Sequence, residues 1–349
     1  MRGQFKISGR LVGPGEPVYI IAEISANHRQ NFTEAVRLVE AAKEAGADAV
    51  KVQTYTADTL TIKSGQECFC ITGGLWAGKT LYDLYSEAYM PWEWQPELKI
   101  RAESLGLDFF STAFDPSAVD FLEKVGVPVH KIASFEITDL PLISYIANTG
   151  KPLIISTGMA SLAEIGQAVS AARTGGTAQI ALLKCTSAYP APAEEMNLCT
   201  IPHLAQAFGV PVGLSDHTLG IAVPVAAVAL GARIVEKHFT LSRGLAGPDA
   251  AFSLEPAEFR EMAEAIRTAE KALGEVCYEA GKQETVSRAF RRSLFVVRDM
   301  AQGEAFTPEN VRSIRPAAGL SPAFLETVLG RRAACAVKRG TPLGWELIS

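Results

Sequence analysis

Long apolar runs, histidines, paired cysteines and an excess of positive charge are all scarce in this chain of 349 residues. No run reaches the roughly 18 apolar residues that a membrane-crossing helix needs. The N-terminal Met1-Arg2-Gly3-Gln4-Phe5-Lys6 lacks the apolar core of a secretory leader. The six cysteines, at 68, 70, 185, 199, 277 and 335, are too few and too scattered to staple a chain of this length. Cys68-Phe69-Cys70 has no second thiol pair to complete a zinc site, so free thiols in a cytoplasmic protein are expected. Lys and Arg number 33 against 38 Asp and Glu, a net charge of −5. That excludes a basic field for nucleic acid or anionic lipid, and an anionic substrate would need a local cluster of cations. With 48% hydrophobic and 20% charged residues the chain is a folded, enzyme-like one.

Short Val/Ile/Leu-rich runs alternate with helical patterns, the grammar of βα units around a parallel sheet. Strands are expected at Val18–Ile24, Ala49–Gln53, Asp108–Ala113, Val129–Ala133, Leu153–Ser156, Ile180–Cys185, Val210–Leu214 and Arg233–His238. Eight such units close a (β/α)8 TIM barrel. Asn31 with Glu34 opens a helix striped by Ala35, Leu38, Val39 and Ala42. Asp115-Pro116 opens another that stops at Gly126, and Ser161 with Glu164 a third. Phe259, Met262, Ala263, Ile266 and Leu273 stripe the last long helix. A long insertion, about Tyr55 to Glu97, carries Tyr82, Tyr85, Tyr89, Trp92 and Trp94 and is expected to be a lid or binding loop. The barrel is assigned to residues 1–275 and a polar linker to 276–290. A small β-rich domain, too small to be more than marginally stable alone, is assigned to 291–349.

Side chains at the C-terminal ends of barrel strands face the active site. Polar residues end strand after strand: Glu23; Lys51 and Gln53, which share a face by strand alternation; Thr112; Lys131, Ser134 and Glu136; Ser156; Ser187 and Tyr189; Ser215 and His217; Glu236 and His238. Charged groups in a barrel interior need a purpose and partners. Only five histidines occur, and His217 and His238 end adjacent strands. Two imidazoles with open positions suit a divalent ion such as Mn²⁺. Glu236 shares the face of His238. Lys51 and Lys131 with Thr112, Ser134, Ser156, Ser187 and Ser215 make a ring of cations and hydroxyls suited to a phosphate ester bearing a carboxylate. A Schiff-base lysine is the competing chemistry. A metal-dependent hydrolase would need a bridging carboxylate or further histidines near the pair, and the sequence offers few histidines to spare.

Ile21-Ala22-Glu23-Ile24-Ser25-Ala26-Asn27-His28, Lys51-Val52-Gln53, Ser156-Thr157-Gly158-Met159, Gly213-Leu214-Ser215-Asp216-His217-Thr218, Glu236-Lys237-His238-Phe239-Thr240, Gly247-Pro248-Asp249 and Ser253-Leu254-Glu255-Pro256 resemble the sialic acid synthase family, in family order along the whole chain. The tail, with Phe306-Thr307, Asn310, Arg315-Pro316 and Gly319-Leu320-Ser321-Pro322, resembles that family's antifreeze-like (SAF, β-clip) domain. Leu81-Tyr82-Asp83-Leu84-Tyr85 and Lys131-Ile132-Ala133-Ser134-Phe135-Glu136 are most similar to the pseudaminic acid synthase branch. Sialic acid synthases proper carry Gly-Ser-Gly-Glu after that lysine and usually Asn where Ser187 stands; the legionaminic acid branch is the nearest competitor. The resemblance implies condensation of phosphoenolpyruvate with 2,4-diacetamido-2,4,6-trideoxy-β-L-altropyranose. It implies Mn²⁺ (Mg²⁺ or Co²⁺ as alternatives) on His217 and His238, and substrate contacts from Asp249. It also implies a domain-swapped homodimer in which Arg315 reaches the partner's barrel. A sugar-binding protein with an antifreeze-like tail is the non-enzyme alternative, and it leaves the polar strand ends unexplained.

Overall fold

A computed structural model describes residues 5–245 and 247–349. By contact density the chain divides into two compact units, Met1–Gly274 and Glu275–Ser349.

The first unit opens with an antiparallel pair, β1 (Phe5–Ile7) and β2 (Arg10–Val12). Eight parallel strands then follow in chain order: β3 (Tyr19–Glu23), β4 (Ala49–Thr54), β5 (Asp108–Ala113), β6 (His130–Ile132), β7 (Leu153–Ser156), β8 (Ile180–Cys185), β9 (Val212–Asp216) and β10 (Ile234–His238). They close into a barrel, β10 pairing with both β9 and β3. The expected TIM barrel is thus present, with strand ends shifted by at most two residues. The β1–β2 pair was not expected, because three-residue strands leave no periodic signal. Its Phe5, Ile7 and Val12 join the apolar cluster that holds Tyr19 and Ile21.

The helices form where local chemistry starts and stops them. Asn31 caps Phe32–Glu44 by accepting from the Glu34 N–H, and the helix buries Ala35, Leu38, Val39 and Ala42 against the barrel. Asp115 caps Pro116–Val125, which ends at Gly126 in the left-handed region (φ 76°), where only glycine is unstrained. Ser161 and Glu164 form a reciprocal capping box. Gly213 in β9 is dictated by packing: a Cβ there would lie 2.3 Å from the Ile234 carbonyl oxygen of β10.

Strand register sets the interior. Glu23 pairs across the ladder with Lys51, Gln53 with Thr112, Thr112 with Lys131, Ser215 with Glu236, and His238 with Glu23. Neighbouring rungs therefore carry the polar side chains inward at one height, while Val50, Val52 and Val235 point out into the helical layer.

One buried histidine lies off this ring. His28 is fully buried, accepts the Gln30 N–H at its Nδ1 (3.1 Å), and sets its ring edge-on to Trp94. Burial pushes its pKa down to about 4. Below about pH 6.5 the unfolded chain takes up a proton that the folded chain refuses until about pH 4. The stability His28 contributes is therefore full above pH 6.5 and is lost as pH falls, by about 3 kcal/mol in all. In urea unfolding at pH 7 and pH 4.5, His28→Asn, which retains an acceptor, should lose markedly less stability between the two than the wild type. An equal loss would mean that His28 does not titrate this way.

The second unit has a short helix, Lys282–Ser287, and an antiparallel pair, β11 (Ser293–Val296) and β12 (Val311–Ile314). Its own small core gathers Leu294, Val296, Met300, Phe306, Val311, Val328, Ala333, Val337 and Leu343. Asn310 is buried as a turn staple, accepting from the Thr307 N–H and donating to the Ala305 carbonyl. Arg315 follows β12 and is exposed.

Candidate active site

The polar ring at the C-terminal end of the barrel is almost entirely closed to water. The Lys51 ammonium lies 2.5 Å from Glu23 Oε2 and 3.5 Å from Glu236 Oε1, and donates to Thr112 Oγ1 at 2.9 Å. Gln53 donates to Glu23 Oε1 (3.1 Å) and Ser25 Oγ (2.9 Å), and Ser215 donates to Glu236 Oε1 (3.4 Å). Burial pushes Glu23 up to about 7 in spite of Lys51. Burial acts on Glu236 as well, but Lys51 and Lys131 together hold it below the usual carboxylate range.

Lys131 is different. Its ammonium is buried, donates to the Ile132 carbonyl (2.8 Å) and Ser156 Oγ (2.7 Å), and among the described residues has no carboxylate within ion-pair distance. Burial pulls its pKa down, opposed by the more distant Glu236. A desolvated cation whose direct contacts are a carbonyl and a hydroxyl, with no carboxylate in contact, is a site prepared for an anion. Next to it the Gly158 N–H donates to Ser134 Oγ at 3.1 Å, and a Cβ on Gly158 would lie 2.3 Å from Ser187 Oγ and 2.7 Å from Ser134 Oγ. The absence of a side chain at 158 is what lets the two hydroxyls converge.

The imidazoles of His217 and His238 come together with ring centroids 5.3 Å apart. His217 Nδ1–H donates to the Thr186 carbonyl oxygen (3.0 Å), which leaves its Nε2 lone pair free. His238 Nδ1 is buried without a hydrogen-bond partner, 3.9 Å from Asp249 Oδ2. Tyr189 stacks at 4.3 Å on His217 and Phe252 packs at 4.8 Å against His238, fixing both rings.

Beside this pair opens a cavity of about 360 Å³, bounded at the barrel by Gln53, Glu136, His238 and Asp249 and roofed by Tyr55, Trp76, Tyr85 and Phe135. The long insertion does cover the barrel mouth, but with only one aromatic of its densest cluster. Trp92 packs on Phe121 and donates to the Tyr55 carbonyl, and Trp94 packs on His28 and Phe32. Tyr82 hydrogen-bonds Asp58 at the surface. Of the five aromatics noted in the sequence, only Tyr85 lines the cavity.

The NeuB family model matches residues 38–278, and the SAF domain model matches residues 291–349. The chain belongs to the NeuB family. The resemblance drawn from the motifs is thereby borne out. The pseudaminic acid synthase of Helicobacter pylori is 44% identical over 94% of this chain and 97% of its own length. The N,N'-diacetyllegionaminic acid synthase of Legionella pneumophila is 39% identical over 98% of each. The crystal structure of the N-acetylneuraminic acid (sialic acid) synthetase of Leptospira borgpetersenii, in complex with citrate, superposes with a TM-score of 0.73 at 32% identity, covering 82% of this chain and 95% of that one.

In this NeuB-family barrel the residues around the imidazole pair fit an open divalent site. Among the described residues no group of three His, Cys, Asp or Glu side chains closes around a point. The unpartnered His238 nitrogen and the free lone pair of His217 nevertheless point to a ligand that brings its own remaining donors, as a hydrated cation with a bound substrate does.

Three site residues escaped the sequence. Ser25 donates to Asp249 (2.5 Å), from a backbone held in the left-handed region at φ 46°, a strain that only a surrounding structure can impose. Trp76 donates its indole N–H to the Pro248 carbonyl (3.0 Å) and so ties the roof to the loop that carries Asp249. Cys185, at the end of β8, places its sulfur 3.9 Å from His217 Nδ1. Burial raises that thiol, but His217 and the hydroxyls of Ser134 and Ser187 together bring it down to about 7.

No helix of the described residues is long and apolar enough to cross a membrane.

Proposed function

We propose that this chain is a pseudaminic acid synthase, joining phosphoenolpyruvate to 2,4-diacetamido-2,4,6-trideoxy-β-L-altropyranose to give pseudaminic acid and phosphate. The observation that carries the reaction class is the buried Lys131 ammonium, unpaired among the described residues and ringed by hydroxyls, beside two open imidazoles.

Lys131, Lys51, Thr112, Ser134, Ser156, Ser187 and Ser215 hold the phosphate and carboxylate of phosphoenolpyruvate. Gln53, Tyr189 and Asp249 orient the open-chain sugar below the aromatic roof. His217 and His238 would hold a divalent ion, Mn²⁺ with Mg²⁺ or Co²⁺ as alternatives, which when bound would supply Lewis-acid polarisation of the sugar aldehyde. The enol carbon attacks that aldehyde, positive charge grows at the neighbouring carbon, and Glu236, kept ionised between the lysines, stabilises it. Water adds there, and phosphate leaves with cleavage of its carbon–oxygen bond. Glu23 and Glu136, both raised by burial to about 7, sit near half-protonation at neutral pH, the state a group needs to accept one proton and return another.

The roof supports the choice of sugar. Tyr55, Trp76, Tyr85 and Phe135 offer apolar contact to a 6-deoxy carbon and two acetyl methyls, and little to a hydroxylated side chain. The test is phosphate release from phosphoenolpyruvate in the presence of Mn²⁺, with the altro sugar, N-acetylmannosamine and the legionaminic acid precursor in competition. Preference for the altro sugar is expected. Preference for N-acetylmannosamine would overturn the sugar assignment, and no sugar-dependent release would overturn the reaction.

The hydroxyl pair can be probed separately. Gly158→Ala should raise KM for phosphoenolpyruvate at least tenfold, a loss of about 1.4 kcal/mol, with the melting temperature little changed. Steady-state kinetics with calorimetry checks it; an unchanged KM would detach Ser134 and Ser187 from the anion.

Arg315 is proposed to serve the barrel of a partner subunit in a domain-swapped homodimer, its planar fork binding substrate oxygens in pairs. Arg315→Ala and His217→Ala should each be nearly inactive, yet recover activity when mixed under conditions of subunit exchange, since one barrel of each heterodimer is then complete. Heterodimers that form and stay dead would show that Arg315 does not cross.

A further inference from the structure

We propose that the buried Asp216–Lys237 ion pair is a positioning brace that sets the separation of His217 and His238; this rests on reading those two imidazoles as the metal pair.

The two side chains are fully buried, with Nζ 2.5 Å from Asp216 Oδ2. Strand alternation places them on the outer face of β9 and β10, opposite Ser215, Glu236 and the imidazoles, so neither can touch a substrate. As stabilising elements they are a poor choice, because the desolvation of a buried pair commonly cancels its attraction and apolar replacements do as well.

What the pair supplies is register. Lys237 and Asp216 are opposite each other in the last paired rung of the β9–β10 ladder. His217 and His238 each come one residue later, where no rung joins the two strands. Beyond that point the connection is carried by side chains. Lys237 Nζ also donates to the Thr218 carbonyl, and Asp216 accepts from the Thr218 N–H (3.0 Å) and hydroxyl (3.1 Å). One ammonium on β10 thus grips the chain on both sides of His217. Metal–ligand distances tolerate deviations of only about 0.2 Å, and groups that merely orient ligands change affinity by about 10–100-fold when lost.

The experiment uses the full chain stripped of metal and titrated with Mn²⁺, the free ion being read by its electron paramagnetic resonance signal. Asp216→Asn with Lys237→Met removes both charges together and keeps an acceptor for the Thr218 N–H. Asp216→Glu keeps the charge but lengthens the brace, and decides the matter if the double variant does not fold. Both should bind Mn²⁺ at least tenfold more weakly, with the metal-free melting temperature of the double variant equal to or above that of the wild type. Weakening of less than tenfold, while His217→Ala has lost the ion, would overturn the brace and leave the metal pair standing. Wild-type Mn²⁺ affinity in His217→Ala would instead overturn the metal pair itself.

Discussion

Lys131→Met is expected to yield a protein at least as stable as the wild type and nearly devoid of activity. The wild-type ammonium is desolvated and, among the described residues, has no carboxylate within ion-pair distance, its direct contacts being a carbonyl and a hydroxyl. Methionine fills the space of the stem and forgoes two charge-assisted hydrogen bonds worth about 1.5–3 kcal/mol each. Relief of the desolvation penalty of a buried ion, roughly several kcal/mol, offsets this. The same ammonium is the nearest charge to the proposed phosphate and carboxylate, in a site where water cannot substitute for it. Its loss should lower kcat/KM for phosphoenolpyruvate by about 10³-fold or more, some 4 kcal/mol of transition-state stabilisation. Thermal unfolding beside steady-state kinetics makes the comparison. Activity within tenfold of the wild type would refute the anion cradle, and a collapse in melting temperature would make Lys131 a structural residue.

The second large effect concerns the imidazole pair. A chelator should abolish turnover, and Mn²⁺ should restore it. His217→Ala and His238→Ala should each lose about 10³-fold or more in kcat while keeping the wild-type circular dichroism spectrum. Removal of His217 also frees the Thr186 carbonyl and the face of Tyr189, but both residues are only half-buried, and water can replace the lost hydrogen bond. The fold should therefore persist. An undiminished rate in a metal-free preparation would exclude the divalent ion from the reaction.

The barrel and its polar ring were legible because two signals coincide in them. Each strand is a short β-branched run, and a lysine or glutamate that alternation places on the face of the other polar strand ends reads as an inward exception. Lys51, Lys131 and Glu236 declared themselves in this way, and the histidines did so by being few. The sequence was least informative where structure is irregular. The segment around Ile71 and Trp76 has no period to read, so its place over the cavity arises from tertiary packing alone. Trp92 and Trp94 misled for a related reason: clustering along the chain is not clustering in space, and the turn they occupy sends one ring to Phe121 and the other to Phe32. The left-handed backbone of Ser25 has no sequence signature for a residue that is not glycine. Asp216 and Lys237 were in plain view beside the histidines. Alternation alone assigns them to the opposite face, but not the grip that Lys237 takes on Thr218.

The polar ring draws on the ends of all eight barrel strands, so altering its shape means altering many distant stretches of chain at once. Most of the roof comes from one uninterrupted excursion between β4 and β5. These two parts of the molecule are therefore exposed to mutation on unequal terms. An insertion, a deletion or a borrowed segment between Tyr55 and Ala88 can rewrite what the enclosure fits while every strand of the barrel keeps its partner. A lineage built on this plan can hold its bond-making apparatus fixed and change its diet.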